Sequence, residues 1–296
     1  MKKKVHLIAP SSGFSMKACE EGIKRLESAG YEIVSRSPLR ASEPAYLNGS
    51  DAVRLEELQK ALSQKDDIVW LIRGGYGLTR ILPQLRCSSA TLPIIIGFSD
   101  ASALLAQLWR QHGLKSIHGP GVISLSAEPE ASFAVLQKII AGRAKEIVYP
   151  RLHVNLVPPH APSEFMGPLV AMNLCVLTHL IGTSSMPNLE GCILLIEEVG
   201  ERPYRIDRML TQLYHSKALN GVKAVIVGHL TRCQEHDSDK PMDVCVERLS
   251  SFGLPVFSGM PVGHESPNFA VPFGALVRLT IEEDEAQLQV CEEIYG

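Results

Sequence analysis

Cysteine is sparse in this chain. There are seven in 296 residues, an odd number spread from Cys19 to Cys291 without paired spacing. That excludes a disulfide-stapled scaffold and fits reduced thiols. Basic charge is not in excess: 29 Lys and Arg stand against 32 Asp and Glu, for a net charge of -3. Neutralising a row of phosphates needs such an excess, so no nucleic acid partner is expected. Long apolar runs are missing as well. Leu169 to Ile181 is broken by Asn173, Thr178 and His179, whereas a membrane span takes about 18 apolar residues or more. Behind the basic start Met1-Lys2-Lys3-Lys4, the apolar run covers only Val5 to Ala9 and ends at Pro10, too short for a secretory signal core. The expectation is a soluble cytoplasmic protein with no membrane partner. No internal repeat or low-complexity segment is visible, and tryptophan is limited to Trp70 and Trp109.

What is present is an ordinary globular balance, 45% hydrophobic and 21% charged, enough for one large or two medium domains. The first half alternates short apolar runs with amphipathic stretches. Strands are expected at Val5–Ala9, Tyr31–Ser35, Asp67–Ile72 and Pro93–Gly97, and helices at Met16–Ala29, Ala52–Gln64, Leu78–Leu85 and Ala101–His112. This βα repeat predicts a parallel sheet whose functional residues lie at the carboxyl ends of the strands. Pro150, Pro158, Pro159 and Pro162 then interrupt any helical period. They divide the chain into a domain over 1–148, a linker over 149–164 and a smaller mixed α/β, β-rich domain over 165–296. In the second half the patterning predicts an apolar helix at Leu169–Ile181, a strand at Cys192–Ile196, a helix at Ile206–Tyr214, a strand at Ala224–Val227, and β structure over Val256–Val262 and Phe273–Ile281.

Four local patterns bear on chemistry. In Ile96-Gly97-Phe98-Ser99-Asp100-Ala101 a buried strand meets a glycine, a serine and small residues opening a helix. A nucleophile elbow has this form, and so does a simple helix cap. The turn Arg73-Gly74-Gly75-Tyr76-Gly77 lets a ligand approach the backbone, or serves only as a tight βα turn. It lacks the G-x-G-x-x-G spacing of dinucleotide binding. Glu197 and Glu198 close an apolar strand and point to opposite faces, so only one of them can serve a given cleft. Acids in that position are commonly just solvated. His264, in the polar loop Gly263 to Asn268, is a base or an exposed bystander. The order Ser99, Glu197, His264 matches a nucleophile, acid and base series, and residue order alone does not show that the three meet.

Taken together, these motifs resemble the LD-carboxypeptidase family of serine peptidases, the muramoyltetrapeptide carboxypeptidases, with microcin C self-immunity peptidases as relatives. The resemblance runs from His6-Leu7-Ile8-Ala9-Pro10-Ser11 through Ile72–Gly77, Gly97–Asp100, His118-Gly119-Pro120 and Leu180–Thr183. It continues over Leu195–Glu198, Arg202–Leu210 and Gly263-His264. It implies a flavodoxin-like amino-terminal domain carrying the nucleophile Ser99, and a carboxy-terminal domain supplying the acid Glu197 and the base His264. The oxyanion donors it implies are the backbone N–H groups of Gly75 and Asp100. The implied reaction removes the terminal D-alanine from a cytoplasmic murein tetrapeptide in peptidoglycan recycling. It needs no cofactor and no metal, and the family forms homodimers. Ala171-Met172-Asn173 stands where many members have Gly-Gly-Asn, so packing or substrate fit differs there. The polar stretch Cys233 to Asp239 lacks a second pair of metal ligands. Arg205 and Arg208 are candidates for holding the substrate's terminal carboxylate, with a surface or interdomain salt bridge as the plainer role. The competing functions are a peptidase acting on peptidyl or aminoacyl nucleotides and a non-catalytic murein-peptide binding protein.

Overall fold

The computed structural model describes residues 3–41, 44–88, 92–234, 236 and 240–294. The first half builds a sheet from β1 (Lys4–Ile8), β2 (Glu32–Arg36), β3 (Ile68–Leu71), β4 (Ile94–Gly97) and β5 (Ser116–His118). These strands are parallel and lie in the order β2-β1-β3-β4-β5, the flavodoxin-like arrangement. Every residue of β3 is buried, which accounts for its unbroken apolar sequence: a central parallel strand is covered on both faces. The intervening helices are α1 (Met16–Ser28), α2 (Asp51–Leu62), α3 (Leu78–Ile81), α4 (Ala101–His112) and α5 (Glu130–Ile140). Ser15 and Ser50 cap α1 and α2 through their hydroxyls, and Gly113 ends α4 in the left-handed conformation.

The second half forms a closed barrel. Its strands are β6 (Leu152–Leu156), β7 (Glu164–Asn173), β8 (Ile193–Val199), β9 (Ala224–Thr231), β10 (Val256–Ser258), β12 (Leu276–Glu282) and β13 (Glu285–Val290), in the order β10-β6-β13-β12-β7-β8-β9. β7, β8, β9 and β10 run parallel, and the remaining pairs are antiparallel. The helices on this half are α6 (Leu174–His179), α7 (Pro203–His215) and α8 (Pro241–Ser251). β11 (Val271–Phe273) leaves the barrel region and adds antiparallel to β5, so the last part of the chain completes the first sheet.

Three expectations need correction. Leu169–Ile181 is not one helix: residues up to Asn173 belong to β7, and only Leu174–His179 is helical. The segment is buried between β12 and β8, and an apolar run buried on both faces has no period that separates strand from helix. The change occurs at Asn173, whose Oδ1 accepts the Val176 N–H at 3.0 Å and starts the helix. The 149–164 segment is not plain linker, because it carries β6, paired with β10 and β13. Leu78–Leu85 is a four-residue helix followed by a 3-10 turn over Leu82–Gln84, where Pro83 removes a backbone donor.

α1 packs against a 3-10 stretch at Val122–Ala127 through Gly22, where a Cβ would lie 2.0 Å from the Val122 carbonyl oxygen. Alanine is the better helix former by about 1 kcal/mol, but over-packing against backbone costs about 1–3 kcal/mol. Gly22→Ala should therefore lower the urea unfolding midpoint, with a net loss of up to about 2 kcal/mol. A raised midpoint would mean that this contact yields.

Candidate active site

The carboxyl ends of β1, β3 and β4 converge on one place. β4 ends at Gly97, and two residues later Ser99 takes φ 61°, a left-handed conformation that a residue with a Cβ adopts only under constraint. Small neighbours make the turn possible. A Cβ on Gly97 would lie 2.8 Å from Ala101 Cβ, and one on Gly74 would lie 2.8 Å from Ser99 Cβ. The next residue locks the turn: Asp100 Oδ2 accepts the Ser11 hydroxyl at 2.6 Å and the Leu78 N–H at 3.0 Å, tying the loops after β1 and β3 to the elbow. Burial pushes the Asp100 carboxyl up, and these donors oppose the shift. Fully buried Arg54 braces the same loops, donating to the carbonyls of Pro10 and Gly77 and pairing with Asp51.

The barrel contributes the other two groups. His264 Nε2 lies 3.1 Å from Ser99 Oγ, and its Nδ1 lies 2.7 Å from Glu197 Oε2. An ionised carboxylate can only accept, so Nδ1 carries the proton and Nε2 is free to accept from the serine hydroxyl. Glu197 and Glu198 are 0% and 2% exposed, so the solvated role considered for strand-end acids does not apply. β8 shifts register against β9 between Ile196 and Glu198, an irregularity of the kind that re-aims side chains. Glu197 meets His264, while Glu198 accepts from Asn173 Nδ2 at 3.1 Å and from the N–H groups of Cys175 and Val199, each at 2.7 Å. Burial raises the Glu198 carboxyl to about 7. Gly263, at φ 138°, lets the chain pass the acid closely, since a Cβ there would lie 3.1 Å from Glu197 Oε2. Asn268 pins the loop, accepting from the Gly263 N–H and donating its own N–H to Glu128.

Gly75 and Asp100 line a cavity of about 410 Å³ together with Ser99. Neither backbone N–H donates a hydrogen bond within the described fold. A hydroxyl, an imidazole and a carboxylate in series, beside free amides, can generate an alkoxide equivalent and receive negative charge. Arg205 and Arg208 are not brought to Ser99. They line a neighbouring cavity, where Arg205 pairs with Glu201 at 3.2 Å and both guanidinium groups lie about 6 Å from the Tyr204 ring. Among the described residues no group of His, Cys, Asp and Glu is placed to hold a metal, and no helix is long and apolar enough to cross a membrane. Of the Cys233–Asp239 stretch, Glu235, Asp237, Ser238 and Asp239 lie outside the described residues.

Sequence reasoning did not single out Ser11, Arg54, Glu201 or the imidazole of His118. Arg54 and Asp51, three apart on α2, look like a surface pair, and only the tertiary fold buries the arginine. His118 is fully buried, neither ring nitrogen has a hydrogen-bond partner among the described residues, and its ring meets Phe98 edge-on at 6.2 Å. Phe98 in turn packs on the His264 ring at 4.8 Å.

Comparison with known proteins places the chain in a family. Residues 5–119 match the model of the LD-carboxypeptidase N-terminal domain, and residues 166–279 match that of the LD-carboxypeptidase C-terminal domain. The murein tetrapeptide carboxypeptidase of Pseudomonas aeruginosa is 33% identical over 287 residues, covering 92% of this chain and 91% of that protein. The microcin C7 self-immunity protein MccF of Escherichia coli is 26% identical over 318 residues, covering 96% and 91%. The crystal structure of muramoyltetrapeptide carboxypeptidase from Oxalobacter formigenes superposes with a TM-score of 0.83 at 26% identity, over 97% of this chain and 98% of that one.

Burial lowers His118 to about 3. In the fold it therefore stays neutral between its ordinary value near 6.5 and about 3, while the unfolded chain takes up a proton. Stability contributed by the neutral imidazole is present above pH 6.5 and is lost as the pH falls through that window, by up to about 1.4 kcal/mol per pH unit. Urea titrations at a series of pH values should show a shallower acid-side loss in His118→Leu than in the wild type. Parallel slopes would show that His118 is protonated in the fold.

Proposed function

The chain belongs to the LD-carboxypeptidase (peptidase S66) family and is a serine carboxypeptidase, and from that premise we propose that it removes the terminal D-alanine of murein tetrapeptides by Ser-His-Glu acyl-enzyme chemistry. The observation that carries the mechanism is the hydrogen-bonded series Ser99, His264 and Glu197, with Ser99 held at positive φ. In this reading His264 Nε2 takes the hydroxyl proton as Ser99 Oγ attacks the carbonyl carbon of the scissile amide. The developing oxyanion is met by the N–H groups of Gly75 and Asp100. Glu197 keeps the imidazole in the required tautomer and stabilises its protonated form. His264 then delivers the proton to the departing D-alanine nitrogen as the C–N bond breaks. Water, giving its proton to His264, opens the ester and restores the serine. A cytoplasmic place in peptidoglycan recycling and a homodimeric state belong to the same proposal.

A second reading is cleavage of an amide on a nucleotide conjugate. It rests on the similarity to the microcin immunity protein and on an exposed aromatic pair, Tyr46 and Tyr76, with ring centroids 5.9 Å apart and Tyr76 lining the cavity. Such a pair offers a face for stacking a base.

Mass spectrometry of a murein tetrapeptide incubated with the purified enzyme should show loss of one alanine. Ser99→Ala should lower turnover by about 10⁴-fold or more. Glu197→Gln, which keeps the shape but removes the charge, should cost about 10⁴-fold. An active Ser99→Ala preparation, free of contaminating peptidase, would exclude Ser99 as the nucleophile. Hydrolysis of an aminoacyl-nucleotide amide, with the murein peptide left intact, would select the second reading.

A further inference from the structure

A second series of serine, imidazole and carboxylate lies apart from Ser99. His6 Nδ1 is 2.8 Å from Ser35 Oγ, and His6 Nε2 is 2.9 Å from Asp67 Oδ2. The His6 and Asp67 side chains are 13% and 22% exposed, and Ser35 is exposed on the edge strand β2. Asp67 directly precedes β3, at the amino end of that strand, whereas Ser99 follows the carboxyl end of β4. An irregularity in strand pairing brings the serine to the imidazole. β1 and β2 align Val5 with Ile33 and then His6 with Ser35, so Val34 is an extra residue in β2. In unbroken register Val34 would stand opposite His6, and Ser35 opposite Leu7. Bulges of this kind re-aim side chains.

A carboxylate only accepts, so in the neutral imidazole Asp67 holds the proton on Nε2 and leaves Nδ1 to accept from the Ser35 hydroxyl. The two ring nitrogens thus exchange the roles they have in His264. His6 and Ser35 line a cavity of about 360 Å³ between these strands and α2. Of the cationic side chains lining it, Arg36 pairs with Glu20, while Lys60 forms no ion pair among the described residues. We propose that Ser35 is a second nucleophile, which takes an acyl group from an activated donor, an ester or mixed anhydride whose leaving group departs as a stable anion. Ser35 Oγ bonds to the acyl carbon as its proton passes to His6 Nδ1. The leaving group takes the electron pair of the broken C–O bond, and the Lys60 ammonium offsets the charge that develops on the carbonyl oxygen. Ser35 lies within β2 and lacks the positive φ of Ser99. Because an anionic leaving group needs no proton, the site suits activated esters and not peptide amides.

The plainer role of the three residues is to tie β1 to its neighbours by side-chain hydrogen bonds, and labelling separates the two. The full chain carrying Ser99→Ala, which removes the other candidate serine, is incubated with p-nitrophenyl acetate, and acetylated positions are mapped by mass spectrometry of its peptides. Ser35 should carry an acetyl group, and Ser35→Ala should abolish it. Adding His6→Gln should slow acetylation of Ser35 by about 10²-fold, the low end for loss of a general base. Acetylation of surface lysines in the same digests should not change, which separates loss of the base from a change in reagent or fold. Should His6→Gln fail to fold, Asp67→Asn decides in its place, since it keeps the side-chain shape at a partly exposed position and removes the charge that fixes the tautomer. An unlabelled Ser35 in folded Ser99→Ala protein, or labelling of Ser35 at an undiminished rate in the deciding variant, would overturn the assignment. Neither result bears on the carboxypeptidase reading, which rests on Ser99.

Discussion

The left-handed backbone at Ser99 is the constraint around which the surrounding structure is arranged. A non-glycine residue held there costs about 1 kcal/mol or more, so the fold must over-determine the turn. It does so by stripping side chains where the elbow needs room, at Gly97 and Gly74, and by placing hydrogen bonds where it needs anchors. Asp100 joins the elbow to Ser11 and Leu78. Arg54 joins the same two loops through their carbonyls. A serine hydroxyl on a relaxed turn would have no reason to project toward a residue from the other sheet.

Across the junction, the barrel meets that hydroxyl with a strand end and a loop. The register shift in β8 separates the roles of two adjacent glutamates. One orients His264, and the other braces the start of α6 through Asn173 and Cys175. The His264 loop is fastened by Asn268 to Glu128, itself bonded by Ser132 of α5. β11, running from that loop into the first sheet, makes the two halves share backbone hydrogen bonds as well as side-chain contacts. Such coupling limits relative motion of Ser99 and His264, and the proposed triad would tolerate little displacement.

Burying this many ionisable groups is costly unless each is paired or neutral. Arg54 has two carbonyls and Asp51, and Glu198 has three N–H donors. His118 has no hydrogen-bonding partner among the described residues and is held neutral by burial. Neutrality suits its position, since a charged imidazole behind Phe98 would oppose protonation of His264.

Much of this was legible in the chain itself. The βα alternation, the strand-Gly97-x-Ser99-helix pattern and the glycine turn follow from local rules: strand burial, turn chemistry and helix capping act over a few residues and leave periodic or positional marks, whereas the roles of Ser99, Glu197 and His264 came from the family resemblance. The apolar run at Leu169–Ile181 marks where those rules end, because a fully buried strand carries no period. The choice between Glu197 and Glu198 depended on a strand irregularity, and the burial of Arg54 on two loops distant in sequence. The position of Arg205, behind Glu201 rather than beside Ser99, depended on how α7 leaves the end of β8. The sequence by itself determined which groups are available and the local conformation that presents the serine. Only the tertiary structure decided which groups meet, because distances between segments more than a hundred residues apart are set by packing that no local pattern encodes.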